Sequence, residues 1–116
     1  MNKELAALAE DVEAALTLES ELADRVLSVI NALGPNLDMN REDLDSTDQV
    51  MALIYAARPG WSVSIKGKVN LPNGHWRCTL RQSTSRDNHE YLGVGRGPTL
   101  PHSLLAALIK AISFSA

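Results

Sequence analysis

The apolar residues of this 116-residue chain change period near Pro59, and that change restricts the fold more than any other feature of the sequence. Before it they recur every three or four residues, so that Val50, Leu53, Ile54 and Ala57 share one helical face. From Trp61 they alternate. Trp61, Val63 and Ile65 interleave with Ser62, Ser64 and Lys66, and Trp76, Cys78 and Leu80 interleave with His75, Arg77, Thr79 and Arg81. Leu71-Pro72-Asn73-Gly74 supplies the turn between the two runs, so they read as an antiparallel hairpin with one dry and one wet face. The polar run Ser83 to His89 is a second turn, and Glu90 to Gly95 is a third, shorter strand. Its facing is open: either Leu92 and Val94, or Tyr91 with two glycines, point inward.

Both flanks of this meander read as helices. Ser46-Thr47-Asp48-Gln49 has the form of a capping box, and Arg58-Pro59-Gly60 stops the helix that it starts. Gly95-Arg96-Gly97-Pro98-Thr99 turns the chain into a last helix, with Thr99 as cap, Pro101 in the first turn and Leu104, Leu105, Leu108, Ile109 and Ile112 as a broad apolar face. The expected class is α+β: a three-stranded antiparallel meander in the order α-β-β-β-α, with both helices over its dry face.

Upstream, Leu5, Leu8, Val12, Ala15, Leu22, Val26, Val29 and Leu33 continue a three-four spacing past Glu19. Thr17 and Ser20 are candidate caps of a second helix, so the segment is a helical hairpin or one bent helix, closed by Gly34-Pro35. The expected organisation is a helical extension over residues 1–33, a connecting loop over 34–45 with Leu37, Met39 and Leu44 tucked inward, and the α-β-β-β-α domain over 46–116. A chain of this length closes one hydrophobic core. The N-terminal stripe either packs on that core or serves self-association or partner docking.

With 45% hydrophobic and 22% charged residues the composition is that of a globular protein. The longest uncharged stretch contains Thr99, Pro101, His102 and Ser103 and falls short of a spanning helix. Charges at Lys3, Glu4, Glu10, Asp11 and Glu13 oppose a secretory signal, and the single cysteine, Cys78, fits a reducing compartment. A cytoplasmic, non-membrane protein is expected. The net charge of −3 conceals a polarity. Residues 1–60 carry four basic against twelve acidic side chains, net −8, whereas residues 61–116 carry seven basic against two acidic, net +5. Either the halves neutralise one another in the fold or the basic half has an anionic partner.

No constellation for catalysis stands out, and an enzyme is not expected. The strand region holds only two carboxylates, Asp87 and Glu90, beside a turn. Cys78 and His75 lie on opposite faces of one strand, which leaves the thiol a small core residue. His75, His89 and His102 have no ligand-like spacing, so neither a metal nor another cofactor is expected. Gly93-Val94-Gly95-Arg96-Gly97 admits a phosphate-loop reading with Arg96 adding charge, but Pro98 replaces the third glycine of a dinucleotide fingerprint. Turn glycines explain the run more simply. The functional candidates are the cations of the wet face, Lys66, Arg77 and Arg81, with Lys68 continuing the face if Gly67 introduces no bulge, together with Arg96. Such a patch can meet phosphates or an acidic protein surface, or can serve solubility alone.

The opening "STDQVMALIYAARPGWSVSI" and the close "GPTLPHSLLAALIKAI" resemble the phage ABA sandwich domain of small phage and prophage proteins, over about residues 46–112. That family has no assigned reaction. The resemblance implies a non-enzymatic interaction module in a bacterial host cell, acting through a protein partner or as a homo-oligomer, with a host defence system as a candidate target. Nucleic acid or a phosphorylated ligand on the basic face is the alternative. Double-stranded-RNA-binding domains share the element order but grip phosphates with lysines at the start of the last helix. Here Thr99-Leu100-Pro101-His102-Ser103 stands in that place, which argues against that mode.

Overall fold

In the computed structural model, residues 3–15, 18–32, 39–68, 75–82 and 93–115 are described. Their order is α1 (Lys3–Ala14), α2 (Ser20–Asn31), a 3₁₀ helix (Arg41–Asp45), α3 (Thr47–Ala57), β1 (Trp61–Lys68), β2 (His75–Gln82), β3 (Gly93–Gly97) and α4 (Leu100–Ser115). The α+β class and the α-β-β-β-α order are as the sequence predicts. The expected features at Thr17, Leu33, Gly34-Pro35, Leu37, the 71–74 turn and residues 83–92 lie outside the described residues.

Local chemistry sets the boundaries. The Ser46 hydroxyl accepts the Gln49 N–H at 3.3 Å and starts α3. At its end the Arg58 N–H still reaches the Ile54 carbonyl, at 2.8 Å. Pro59 then stops the ladder, and Gly60 takes φ +83°, a left-handed value that glycine adopts without strain. Thr99 caps α4: its Oγ accepts the His102 N–H at 3.4 Å and its carbonyl the Ser103 N–H at 3.1 Å. Within the expected 34–45 loop there is instead a 3₁₀ helix, begun by a reciprocal capping box. Asp43 N–H donates to Asn40 Oδ1 at 3.2 Å, and Asn40 N–H donates to Asp43 Oδ2 at 3.1 Å. Met39 and Leu44 are buried, as expected.

The sheet is an antiparallel meander of order β1-β2-β3. β1 pairs with β2 without interruption from Trp61 opposite Gln82 to Lys68 opposite His75, so Gly67 introduces no bulge. The Trp76 ring leans over Gly67, where a Cβ would lie 2.7 Å from it. In β3 the open question of facing is settled in favour of the glycines. Gly93, Gly95 and Gly97 are buried, while Arg96 is exposed. The glycine run is thus neither a turn nor a phosphate loop but a strand. Its inward positions have no side chain because α4 lies directly against them: a Cβ on Gly95 would run into the Ala107 amide and the Ser103 carbonyl.

The second departure concerns which helices cover the dry face. α4 packs on β3 and β2, and α1 packs on α4 and the β3 edge, whereas α3 sits against α4 and the 3₁₀ helix rather than on the sheet. α4 is therefore the centre of the molecule. Every residue from Pro101 to Ser113 is buried except half-buried Lys110. A helix apolar on all sides belongs in such a place. Leu8, Ala9 and Val12 of α1, with Ala23, Val26 and Ile30 of α2, join the same core cluster as Leu80 and Leu104. The N-terminal stripe packs on its own core.

Among the described residues, polar bonds that fasten these layers join distant parts of the chain. The Glu13 carboxylate holds Lys110 Nζ at 2.8 Å and accepts the Arg96 N–H at 2.9 Å, tying α1 to α4 and to the β3 edge. His102 Nε2, buried, bonds the Val12 carbonyl in the last turn of α1. Arg25 reaches Asp11 at 3.0 Å between α1 and α2, and Arg41 grips both oxygens of Asp24 at 2.7 and 2.9 Å between the 3₁₀ helix and α2.

Candidate anion-binding face

Strand alternation places the even-numbered residues of β1 on the side of the sheet away from α4. The register carries the same face across β2 and β3 through Lys66 opposite Arg77, Ser64 opposite Thr79, Ser62 opposite Arg81, Arg77 opposite Arg96 and Thr79 opposite Val94. Lys66, Arg77, Arg81 and Arg96 are all exposed. Lys66, Arg77 and Arg96 form one row across the three strands, about 10 Å from end to end at the usual strand spacing. Arg81 lies four residues along β2 from Arg77, about 13 Å away.

The Arg96 N–H bonds outward to Glu13, so its backbone turns away from β2. Arg77 and Arg96 are consequently a non-hydrogen-bonded pair, with Cα atoms about 4.5 Å apart, and Lys66 and Arg77 a hydrogen-bonded pair at about 5.5 Å. Like charges directly opposite one another destabilise a sheet. None of the four cations forms an ion pair among the described residues. Among the described residues, Arg25, Arg41 and Lys110 of the helical side each hold a carboxylate, whereas the four cations of the outer sheet face hold none.

Between these cations is a shallow concavity of about 320 Å³ lined by Ser62, Ser64, Lys66, Arg77, Thr79 and Arg81. Its chemistry is a hydroxyl floor with positive charge at both ends. Ser62 Oγ donates to the Arg81 carbonyl at 3.3 Å, which anchors one end of the floor. Val94 and Thr79 are half-buried and close the middle of the face.

Of the sequence candidates, the structure brings Lys66, Arg77 and Arg81 together and adds Arg96 to their row. Lys68 ends β1 opposite His75, and its side chain lies outside the described residues. Ser62 and Ser64 were legible as part of the wet face through period two, but their role as a concave floor between cations was not. Cys78 is fully buried on the opposite face. Its Sγ lies 3.1 Å from Ser103 Oγ, which itself donates to the Leu100 carbonyl at 2.8 Å. Burial pushes the Cys78 thiol above its ordinary range, with the Ser103 hydrogen bond a smaller opposing effect, and the group is poorly suited to nucleophilic work. Among the described residues no three His, Cys, Asp or Glu side chains are grouped to hold a metal ion, and no helix is long and apolar enough to cross a membrane.

No family model, curated protein or solved structure matches the chain.

Proposed function

We propose that this protein is a non-enzymatic binding module that holds the phosphate backbone of a nucleic acid on its outer sheet face, through Lys66, Arg77, Arg81 and Arg96. The observation that carries this reading is the row of three cations, unpaired among the described residues, beside a hydroxyl-lined concavity that ends in a fourth. Phosphate oxygens accept from both guanidinium and hydroxyl groups, and an extended polyanion reaches cations about 13 Å apart that a single small anion does not bridge. A protein interface takes its affinity from a few side chains, Trp, Tyr and Arg above all, buried in well-packed pockets. Among the described residues this face has no aromatic side chain, its arginines are exposed, and Val94 is only half-buried. Contacts to phosphate alone carry no sequence information, so the binding is insensitive to base sequence.

The protein-contact reading, a phage or prophage module directed at a host defence protein, rests on the likeness of residues 46–112 alone. Exposed Tyr55, 69% accessible on α3, is the residue that such a partner would use. Fluorescence anisotropy with a labelled single-stranded oligonucleotide of about 20 residues separates the two. With four phosphates engaged, affinity falls about 50-fold between 50 and 200 mM salt, and the combined substitutions Lys66→Ala and Arg77→Ala halve the salt slope. An oligonucleotide that stays unbound at low salt, or that binds the double variant as well as the parent, overturns the nucleic-acid reading.

A further inference from the structure

We infer that two copies of this chain pair through β1, edge to edge and antiparallel about a two-fold axis at Ile65, to form one continuous six-stranded sheet. The interface does not depend on what the outer face binds.

The two edges of the sheet are treated differently. At the β3 edge, α1 packs alongside and the Glu13 carboxylate takes the outward Arg96 N–H. At the β1 edge nothing comparable is found among the described residues. The even residues of β1 bond to β2, because Lys66 and Arg77 are a hydrogen-bonded pair, so the N–H and C=O groups of Val63, Ile65 and Gly67 point outward. The Trp61 N–H also points outward and is already taken by the Arg58 carbonyl at 3.3 Å. The stretch open to pairing is therefore Val63 to Gly67, and its centre is Ile65.

The side chains on the helical side of this strand are incompletely covered. A helix about 10 Å across spans two strands of a sheet, and α4 is seated on β3 and β2. Trp61 and Val63 are left half-buried and Ile65 is 41% exposed. Edge strands in water are ordinarily blunted by charged side chains, by a proline or by a bulge. This one has Lys66 on its outer face, but its inner face has only Trp61, Val63, Ile65 and Gly67, and its pairing runs unbroken.

A second copy matches this edge in a way that follows from the sequence. Pairing centred on Ile65 sets Ile65 against Ile65, Val63 against Gly67 and Ser64 against Lys66 of the second copy. About six backbone hydrogen bonds form. Val63 of the second copy comes beside the Trp76 ring that leans over Gly67. No like charges fall opposite one another, since each Lys66 meets a serine. The axis stands perpendicular to the sheet, so the two basic faces lie side by side and the helices of both copies share the other side.

The mass of the intact chain by light scattering at about 100 µM tests the proposal, the expected value being twice 12.6 kDa. Ile65→Pro removes an N–H that β2 does not use, a substitution that an edge strand tolerates. The expected result is a 12.6 kDa monomer with unchanged circular dichroism. Ile65→Cys tests the register without removing a backbone group: with Cα atoms about 5.5 Å apart across the axis, mild oxidation links the copies. Tyr55→Cys, on the exposed surface of α3, serves as the collisional control, and buried Cys78 stays silent. A monomeric parent chain, a dimer that survives Ile65→Pro in a folded protein, or Tyr55→Cys linking as fast as Ile65→Cys overturns it.

Discussion

Cys78 shows how much of a residue's chemistry depends on what lies behind it. On the strand it is one of three alternating apolar positions, and period two puts it on the dry side. What closes over it is α4, through Ser103, whose hydroxyl oxygen lies 3.1 Å from the thiol sulfur. Desolvation then raises the thiol above its ordinary value near 9, while in the unfolded chain it ionises at that value. The sign follows from linkage: the folded protein keeps a proton that the unfolded chain loses. This contribution to stability is complete below about pH 9 and is lost as pH rises from there through the raised folded value. Urea unfolding midpoints from pH 8 to 10.5 should therefore decline more steeply in the parent than in Cys78→Ala, although the alanine variant is less stable throughout because its methyl leaves part of the site empty. Parallel declines in the two proteins would show that the thiol is not the group responsible.

At the scale of elements, the decisive contact is between β3 and α4. Gly93, Gly95 and Gly97 recur every second residue, about 6.6 Å apart on a strand, and Ser103, Ala107 and Ala111 recur every fourth residue, about 6 Å apart on a helix. The two small-residue rows nearly match, so backbone meets backbone over the length of β3. This explains why five residues with three glycines, a poor strand on propensity alone, are held in the sheet. Gly95→Ala adds one methyl where the Ala107 amide and Ser103 carbonyl already stand, and is expected to cost about 3 kcal/mol through overpacking. Gly60→Ala is the comparison. Its Cβ meets nothing within 4 Å, and only the left-handed backbone resists, at about 1 kcal/mol. Chemical denaturation of the two variants measures the difference, and a Gly95→Ala protein as stable as Gly60→Ala would mean that α4 rides higher on the sheet. The glycine spacing was visible in the sequence, but its meaning was not: glycine at a turn and glycine under a helix look alike until the second element is placed.

For the whole molecule, the consequence of a central α4 is that α1 is part of the core rather than an attachment to it. Leu8, almost fully buried in α1, belongs to the same cluster as Leu80 and Leu104. Leu8→Ala should therefore lower the single unfolding transition by about 3 kcal/mol, roughly 10 °C in Tm, rather than melt a separate N-terminal unit. Calorimetry with two transitions, the larger unmoved by the substitution, would separate α1 from the core. The order of helices and strands was legible from the chain because period, caps and stop signals act over a few neighbouring residues, and the backbone geometry of each element imposes them locally. Lys66, Arg77 and Arg81 were placed on one face by the same alternation. Tertiary structure alone decided that Arg96 completes their row, that α1 rather than α3 shares the sheet's covered side with α4, and that one sheet edge is closed by Glu13. Each of these depends on residues far apart in sequence meeting in space, and burial is a property of such meetings rather than of any local pattern.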